Sequence, residues 1–563
     1  MAGLIPGLSA IKSIAIVTLG NGSAATAQKI RDRYSHAKIY GLQNRVESAD
    51  IFYSEFGATL RELYRADTAI IALCAAGIVI RTLAPLLSDK GVEPPVLAVA
   101  EDGSAVVPLL GGLGGVNEMA RVIGAALNIT AAITTSGELR FGTCLLNPPV
   151  GYVLADIEQG KRFVADLLNG EAVRIEGEAP WLSAAGLPLN VSAQHSIQIT
   201  HTARAANVDE LLIYSRNIVA AVNIVSNDVA ADVRVALAAR NIAPQSLACL
   251  VAPVVELGNE NLIAAANALS VPLRFVTKHD APSPPLLKGA DSGAVSLHIA
   301  EHPIDPNAIG IQRGNLTVIG LGPGAAEFIV PAARKALDAA NDILGYETYV
   351  NMAGPFRANQ KLHCTDNREE MQRARHAFEL AAQGRNVVVV SSGDPGVFAM
   401  AAAVLEALEE STDPLWHAIN LQIFPGVSAA LATAARAGAP LGHDFCVMSL
   451  SDNLKPWVII EKRLDHAAAA DFALAFYNPI SKARPWQLGR ALEIIAQHRS
   501  GETIVVLGRD IGRPAETLTT LTLAQLRPEH VDMRTLVIIG SSLTRKFSRG
   551  DQRDWVYTPR WYK

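Results

Sequence analysis

At 563 residues the chain is too long for one ordinary core, and two to four domains are expected. Half of the residues are hydrophobic and 18% are charged, the balance of a folded soluble protein, and a formal net charge of −5 argues against a nucleic-acid binder. Five scattered cysteines (Cys74, Cys144, Cys249, Cys364, Cys446) and histidines without metal-ligand spacing fit a reducing cytoplasm and point to no disulfide framework and no metal site.

Residues 1–19 show no basic leader ahead of an apolar core, and the longest apolar run, 68–80, is too short to span a bilayer. A soluble cytoplasmic protein without membrane contact is expected. Residues 11–19 (IKSIAIVTL) read as a strand and 24–34 as a helix. Residues 69–74 form a second strand, followed by a helical piece with Arg81 that ends near Ser88-Asp89-Lys90. Residues 95–100 are a third strand. A glycine-rich turn at 111–115 then leads into a helix at 119–127, and residues 131–135 (AAITT) read as a fourth strand. Strands alternating with helices indicate a parallel α/β layer. The turn at 111–115 is either a flexible loop or a helix N-terminus able to hold an anion.

The stretches AAGIVIRTLAPLLSDK, VVPLLGGLGGVNEMAR and ITTSGE resemble, in composition and spacing, the amino-terminal part of the CbiG family of cobalamin biosynthesis. Members of that family open a lactone on a corrin precursor and release acetaldehyde. Two positions depart from the family pattern: Leu113 stands where a His is usual, and Glu93-Pro94 stands where Asp-Pro is usual. Residues 1–143 are taken as this first domain, and 144–205, punctuated by Pro148, Pro149 and Pro180, as an irregular insert. Residues 206–280 read as a smaller α/β unit resembling the carboxyl-terminal part of the same family. Its Gly-Ile-Gly-Cys-Arg strand end is replaced here by Val222-Asn223-Ile224-Val225-Ser226. The Pro/Gly-rich stretch 281–314 reads as a linker, with an edge strand at 294–300.

The last domain, 315–563, restarts with strand 316–319 and the turn Gly320-Leu321-Gly322-Pro323-Gly324. That turn is a poor dinucleotide fingerprint, because Pro323 interrupts it and the third glycine is absent, and no Gly-Lys-Ser/Thr follows. Helix 332–340, strand 342–346, a helix holding Asn367-Arg368-Glu369-Glu370 and an all-Val strand at 387–390 come next. The Val run leads to Ser391-Ser392-Gly393-Asp394-Pro395-Gly396 and a helix at 401–410. Strand 421–424 leads to Pro425-Gly426-Val427-Ser428-Ala429. After Pro440 come strands at 446–452, 473–479, 503–507, 516–523 and 536–539, so two lobes are expected, about 315–439 and 440–545. A cleft between lobes is a usual place for a small-molecule site.

Four strand ends finish in small or turn residues: 320–324, 392–396, 425–429 and 477–479. Together they resemble the tetrapyrrole (corrin/porphyrin) methyltransferase family over about 316–545. SSGDPGVFAMA, NREEM and GRDIGRPAETLTT are most similar to the branch that methylates precorrin-3B at carbon 17 and contracts the ring to precorrin-4 in cobalamin biosynthesis. The implied fold class is α/β and multidomain: CbiG-like modules followed by a two-lobed tetrapyrrole methylase domain, a class III methyltransferase fold. The resemblance implies S-adenosyl-L-methionine as cosubstrate, a tetrapyrrole substrate and a homodimer. The cofactor contacts it suggests are Gly320, Pro323, Gly393, Asp394, Val397, Phe398, Ser428, Ala429, Tyr477 and Asn478, with Thr517 and Thr520 in addition. Candidate proton carriers are Asp394, Asp510 and Arg509, with Asp452 near the cleft. Arg484, Arg509 and Arg513 could pair with substrate carboxylates. Asp394 could equally cap the following helix. Two alternatives stay open at this level: a bifunctional enzyme that also opens the lactone, and a non-catalytic carrier of corrinoid intermediates.

Overall fold

The computed structural model describes residues 13–34, 37–87, 93–277, 293–357, 359–366, 369–481, 485–548, 550 and 554–561. Expectations for 1–12, Ser88-Asp89-Lys90, Asn367, Arg368, Arg484 and the 281–292 part of the linker lie outside them. Two compact units divide the chain: residues 1–313 with 357–359, and residues 314–356 with 360–563. No helix among the described residues is long and apolar enough to cross a membrane.

The first unit begins with a six-stranded sheet in the order Ile51–Tyr53, Lys38–Leu42, Ile14–Thr18, Ala69–Leu73, Val96–Val99, Val106–Leu110. All neighbours are parallel except the last pair. Ile14–Thr18 and Ala69–Leu73 are buried along their whole length, as parallel strands covered on both faces must be. Helices Ala24–Arg33 and Val116–Leu127 cover one face, and Phe56–Arg65 with Ala76–Leu83 the other. Residues 131–135 are not a strand. Val106–Leu110 takes the sheet edge, and the 131–135 segment touches it through one bond, Ala132 N–H to the Val106 carbonyl (2.8 Å).

The stretch 144–205 is not irregular. It holds Tyr152–Leu154, helix Ile157–Leu168, Val173–Glu176 and His195–Thr200, which join Glu210–Ser215 in a four-stranded sheet over a core containing Phe141, Phe163 and Leu211. Its prolines fall between elements; Pro180 opens the short helix Pro180–Ser183, where a missing N–H costs nothing. A third sheet runs Leu273–Val276, Leu247–Pro253, Ile218–Val222, Val295–Ile299, the last an antiparallel edge.

The second unit has two lobes. The first is an all-parallel sheet in the order Lys361–Thr365, Asp342–Tyr346, Asn386–Ser391, Asn315–Gly320, Asn420–Phe424. The all-Val run alternates between two cores. Val387 and Val389 pack with Phe378 and Val404, while Val388 and Val390 pack with Leu337 and Val350. The second lobe is a mixed sheet, Phe445–Ser449, Ala473–Tyr477, Thr535–Ile539, Ile504–Arg509, Thr517–Thr522. Helices Trp457–Ala469 and Gln487–Ala496 line one face of it. Helix Ala429–Ala437 lies on the other face, against Ala475, Val506 and Ile538. The chain therefore changes lobes at 425–428, not near 439, and that loop is itself the crossover.

Candidate active site

Three first-lobe strands end side by side, and their loops meet backbone to backbone. Gly322 and Gly393 exchange two hydrogen bonds, of 3.2 and 2.8 Å. A Cβ on Gly320 would lie 2.3 Å from the Gly393 carbonyl oxygen, and one on Gly426 would lie 2.2 Å from the same atom. No side chain fits at Gly320 or Gly426. Gly393 itself has φ +65°, the left-handed region that glycine enters without strain.

Asp394 fastens this crossing. Its Oδ1 accepts the Gly396 N–H (2.8 Å) and its Oδ2 accepts the Gly426 N–H (3.0 Å). The Val397 N–H reaches the Asp394 carbonyl at 3.2 Å. The carboxylate is thus a clasp between two loops; it does not cap helix Met400–Glu409, whose N-cap is Ala399.

The second lobe closes on the same place. Ser428 is the N-cap of helix Ala429–Ala437, its Oγ accepting the Leu431 N–H at 3.3 Å. The Tyr477 hydroxyl accepts the next free donor, Ala430 N–H, at 3.0 Å. The Phe398 ring of the first lobe stands edge-on to Tyr477, with centroids 5.5 Å apart. Lys455 Nζ lies 5.8 Å from the Phe398 centroid; burial, with Arg463 nearby, pulls its ammonium below the usual lysine range. Asn478 bonds Ser449 Oγ at 3.1 Å. Phe398, Asn478 and Asp510 all hold left-handed φ of about 50° in loops around this crossing, the kind of local strain that collects at binding sites. The first-lobe turn reaches across as well: Arg513 Nε donates to the Pro323 carbonyl (3.3 Å), and a Cβ on Gly512 would meet the Pro323 ring at 2.9 Å.

The structure therefore brings together Gly320, Pro323, Gly393, Asp394, Val397, Phe398, Ser428, Ala429, Tyr477 and Asn478. It separates Thr517 from Thr520. On the edge strand Thr517–Thr522 they are three apart, so they point to opposite faces. Leu518, on the face of Thr520, packs toward helix Ala429–Ala437, and Leu521, on the face of Thr517, packs toward the other core. Arg509 and Asp510 sit together at the end of strand Ile504–Arg509: Arg509 Nε donates to Asp532 (2.9 Å), and its Nη1 lies 3.2 Å from Asp510. Asp452 is held by the Gln487 amide at 3.2 Å. The sequence reading passed over Gly426, although its own motif contained it, and over Lys455 and Arg534, for which no local pattern signals a role.

The first unit has a separate cavity of about 220 Å³, lined by Gly115, Asn117, Arg121, Glu138, Cys144 and Trp181 among others. Buried Glu138 accepts from Asn117 (2.7 Å) and from Arg121 (2.5 Å). Burial, and after it Glu138, raises the Cys144 thiol above its usual range. The two departures from the CbiG pattern are neighbours here, since a Cβ on Gly114, next to Leu113, would lie 3.2 Å from the Glu93 carbonyl oxygen.

Two α/β lobes meet where glycine-lined loops close the carboxyl ends of the first lobe's parallel strands, the usual place for a small-molecule site in such a sheet. Residues 315–527 match the tetrapyrrole (corrin/porphyrin) methylases, and residues 58–138 match the amino-terminal region of cobalamin synthesis protein G. A precorrin-3B C(17)-methyltransferase from Sinorhizobium sp is 50% identical over 251 residues, which is 45% of this chain and 98% of that protein. The cobalamin biosynthesis protein CobIJ of Mycobacterium tuberculosis is 48% identical over 256 residues, 45% of this chain and 49% of that protein, so about half of its length is matched. A crystal structure of the methyltransferase CobJ is 51% identical, with a TM-score of 0.42 over 44% of this chain and 100% of that one. The chain belongs to the tetrapyrrole methylase family, as the strand-end motifs indicate.

Proposed function

We propose that this chain transfers a methyl group from S-adenosyl-L-methionine to carbon 17 of precorrin-3B and contracts the macrocycle to precorrin-4. The observation that carries the reading is the clasped crossing of Gly320, Gly393 and Gly426 under the Phe398–Tyr477 pair. It lies within residues 315–527, which match the tetrapyrrole methylases, and a relative named precorrin-3B C(17)-methyltransferase is 50% identical to this chain over 251 residues. The loops 320–324, 391–399 and 425–428 contain no Lys or Arg, which suits a ligand without phosphate. Phe398 is 51% exposed, an aromatic residue suited to meeting an adenine ring or a sulfonium charge.

S-adenosylmethionine supplies the electrophilic methyl group. Gly393, Val397, Ser428 and Ala429 would hold it through backbone groups, with Pro323, Phe398, Tyr477 and Asn478 around it. The chain's contribution is chiefly placement of methyl and ring carbon. Asp394 serves by fixing the loop that carries Ser428 and Ala429, not by moving a proton. The substrate is read as metal-free, in line with the name of the Sinorhizobium relative. The working form is read as a cytoplasmic homodimer, a setting that suits five free cysteines; sedimentation of the purified chain checks the dimer.

The test is incubation with S-adenosylmethionine and precorrin-3B, with and without cobalt in the ring, followed by mass spectrometry. One added methyl on the metal-free substrate is expected. A folded protein that binds the cofactor and yields no methylated product would overturn the reading.

A further inference from the structure

Asp510 is set in an unusual way. Its side chain is 3% exposed, yet neither carboxylate oxygen has an aligned hydrogen bond among the described residues. Three guanidiniums surround it: Arg509 at 3.2 Å, Arg534 at 3.4 Å and Arg513 at 3.9 Å. Arg509 and Arg534 share a second acid, Asp532, at 2.9 and 3.8 Å. Three positive charges against two negative ones leave one positive charge in excess. Glu516 does not cancel it, because Glu516 is paired with Arg436 at 3.1 Å.

The donors are also in excess. Each guanidinium carries five N–H groups. Among the described residues the three side chains make two aligned hydrogen bonds, Arg509 to Asp532 and Arg513 to the Pro323 carbonyl. The three are 34%, 55% and 31% exposed for Arg509, Arg534 and Arg513, while the acid beneath them is covered. The turn is held in place by its backbone: Asp510 N–H reaches the Arg534 carbonyl at 3.3 Å, and Arg513 N–H reaches the Asp510 carbonyl at 2.9 Å. Strand Ile504–Arg509 ends here, on the same rim as Tyr477 and against the Pro323 turn of the first lobe.

We propose that Arg509, Arg513 and Arg534, gathered by the buried Asp510, form the seat for a side-chain carboxylate of a polycarboxylic tetrapyrrole. Asp510 is then a positioning residue and not a proton carrier, because a substrate meets the arginines before it. The inference rests on the proposed function for the class of substrate. A carboxylate is the ligand that planar guanidinium forks match best, by paired charge-assisted bonds. A rim of three arginines suits a molecule with several acid groups, whereas the cofactor has one carboxylate and an ammonium beside it.

Equilibrium binding separates this from the catalytic reading. The full chain is titrated with uroporphyrin III, an octacarboxylic tetrapyrrole, by fluorescence, and with S-adenosylmethionine by calorimetry. Arg534→Ala removes a half-exposed side chain that makes no aligned hydrogen bond among the described residues, only ion pairs with Asp510 and Asp532, so the fold should survive it. It should weaken uroporphyrin binding at least tenfold, flatten the salt dependence of that binding, and leave cofactor affinity within twofold. Asp510→Asn should act in the same direction, and Arg534→Lys should rescue only part of the loss. Unchanged uroporphyrin affinity in Arg534→Ala and Arg509→Ala would overturn the inference, as would no binding by the unaltered chain. So would a loss confined to the cofactor, which would assign the arginines to its carboxylate. Failure of methyl transfer with the tetrapyrrole binding pattern intact would count against the proposed function alone.

Discussion

Replacing Asp394 distinguishes a loop clasp from a proton carrier. Its two oxygens accept Gly396 N–H at 2.8 Å and Gly426 N–H at 3.0 Å. A hydrogen bond to a charged group is worth about 1.5–3 kcal/mol, and the lower end applies to a half-buried carboxylate. Asp394→Ala loses both bonds, about 3 kcal/mol. Asp394→Asn keeps one acceptor oxygen and turns an NH2 toward the other backbone N–H, so it should cost about 1.5 kcal/mol. For a unit of this size each kcal/mol moves Tm by roughly 2–4 °C, so calorimetric scans should show falls of about 3–6 °C for Asn and 6–12 °C for Ala. The loop freed by the change is the crossover that carries Ser428 and Ala429. If about 1.4 kcal/mol of the loss is paid again on binding, S-adenosylmethionine should bind about tenfold more weakly to the Asn variant. An Asn variant that melts with the unaltered protein, binds the cofactor normally and has lost turnover would refute the clasp and make Asp394 a proton carrier.

Gly426→Ala places a Cβ 2.2 Å from a backbone oxygen and should cost at least the 1–3 kcal/mol or so of an overpacked core, whereas Gly393→Ala meets nothing closer than 3.7 Å and should cost only about 1–2 kcal/mol of left-handed strain; urea unfolding should rank them in that order. Tyr477→Phe keeps the ring against Phe398 and removes the acceptor for Ala430 N–H, so a loss of about 0.5–1.5 kcal/mol is expected in the same assay. Asp342 is fully buried, which pushes its carboxyl upward, but bonds from Arg385 and His363 outweigh the burial and hold it below the usual range. A lowered folded value means the contribution is complete above the unfolded value near about 3.9 and is lost as pH falls toward the folded one. Urea midpoints should therefore drop on acidification below about pH 4, and Asp342→Asn should flatten that slope while lowering stability at neutral pH.

What the amino-acid order discloses follows burial. The run 387–390 is legible as a strand because β-branched residues must fill both faces of a central parallel strand, and they do. Lys38–Leu42 and Ile51–Tyr53 escape notice because they lie toward the edge, half-exposed and short, where pairing with a neighbour and not their own composition makes them strands. Residues 131–135 show the converse: strand-like composition, but a single bond to the sheet edge. The stretch 144–205 was obscured by its prolines, which punctuate regular elements instead of replacing them.

Residue types at the site are equally legible, and their tasks are not. The carboxylate at 394 was compatible with ligand, proton carrier or helix cap; its actual partner, Gly426 N–H, is 32 positions away. Arg534 is likewise distant in sequence from the Asp510 it faces. Once these partners are known, the charges divide between the lobes. The first lobe's loops 320–324, 391–399 and 425–428 carry no Lys or Arg, and their clasping carboxylate is engaged by backbone N–H groups. The second lobe's rim keeps one positive charge in excess. On the proposed function this is the division the chemistry needs. The first lobe's glycine loops bring no cation of their own to a sulfonium cofactor, while an acid-bearing ring is drawn to the arginines of the second lobe's rim.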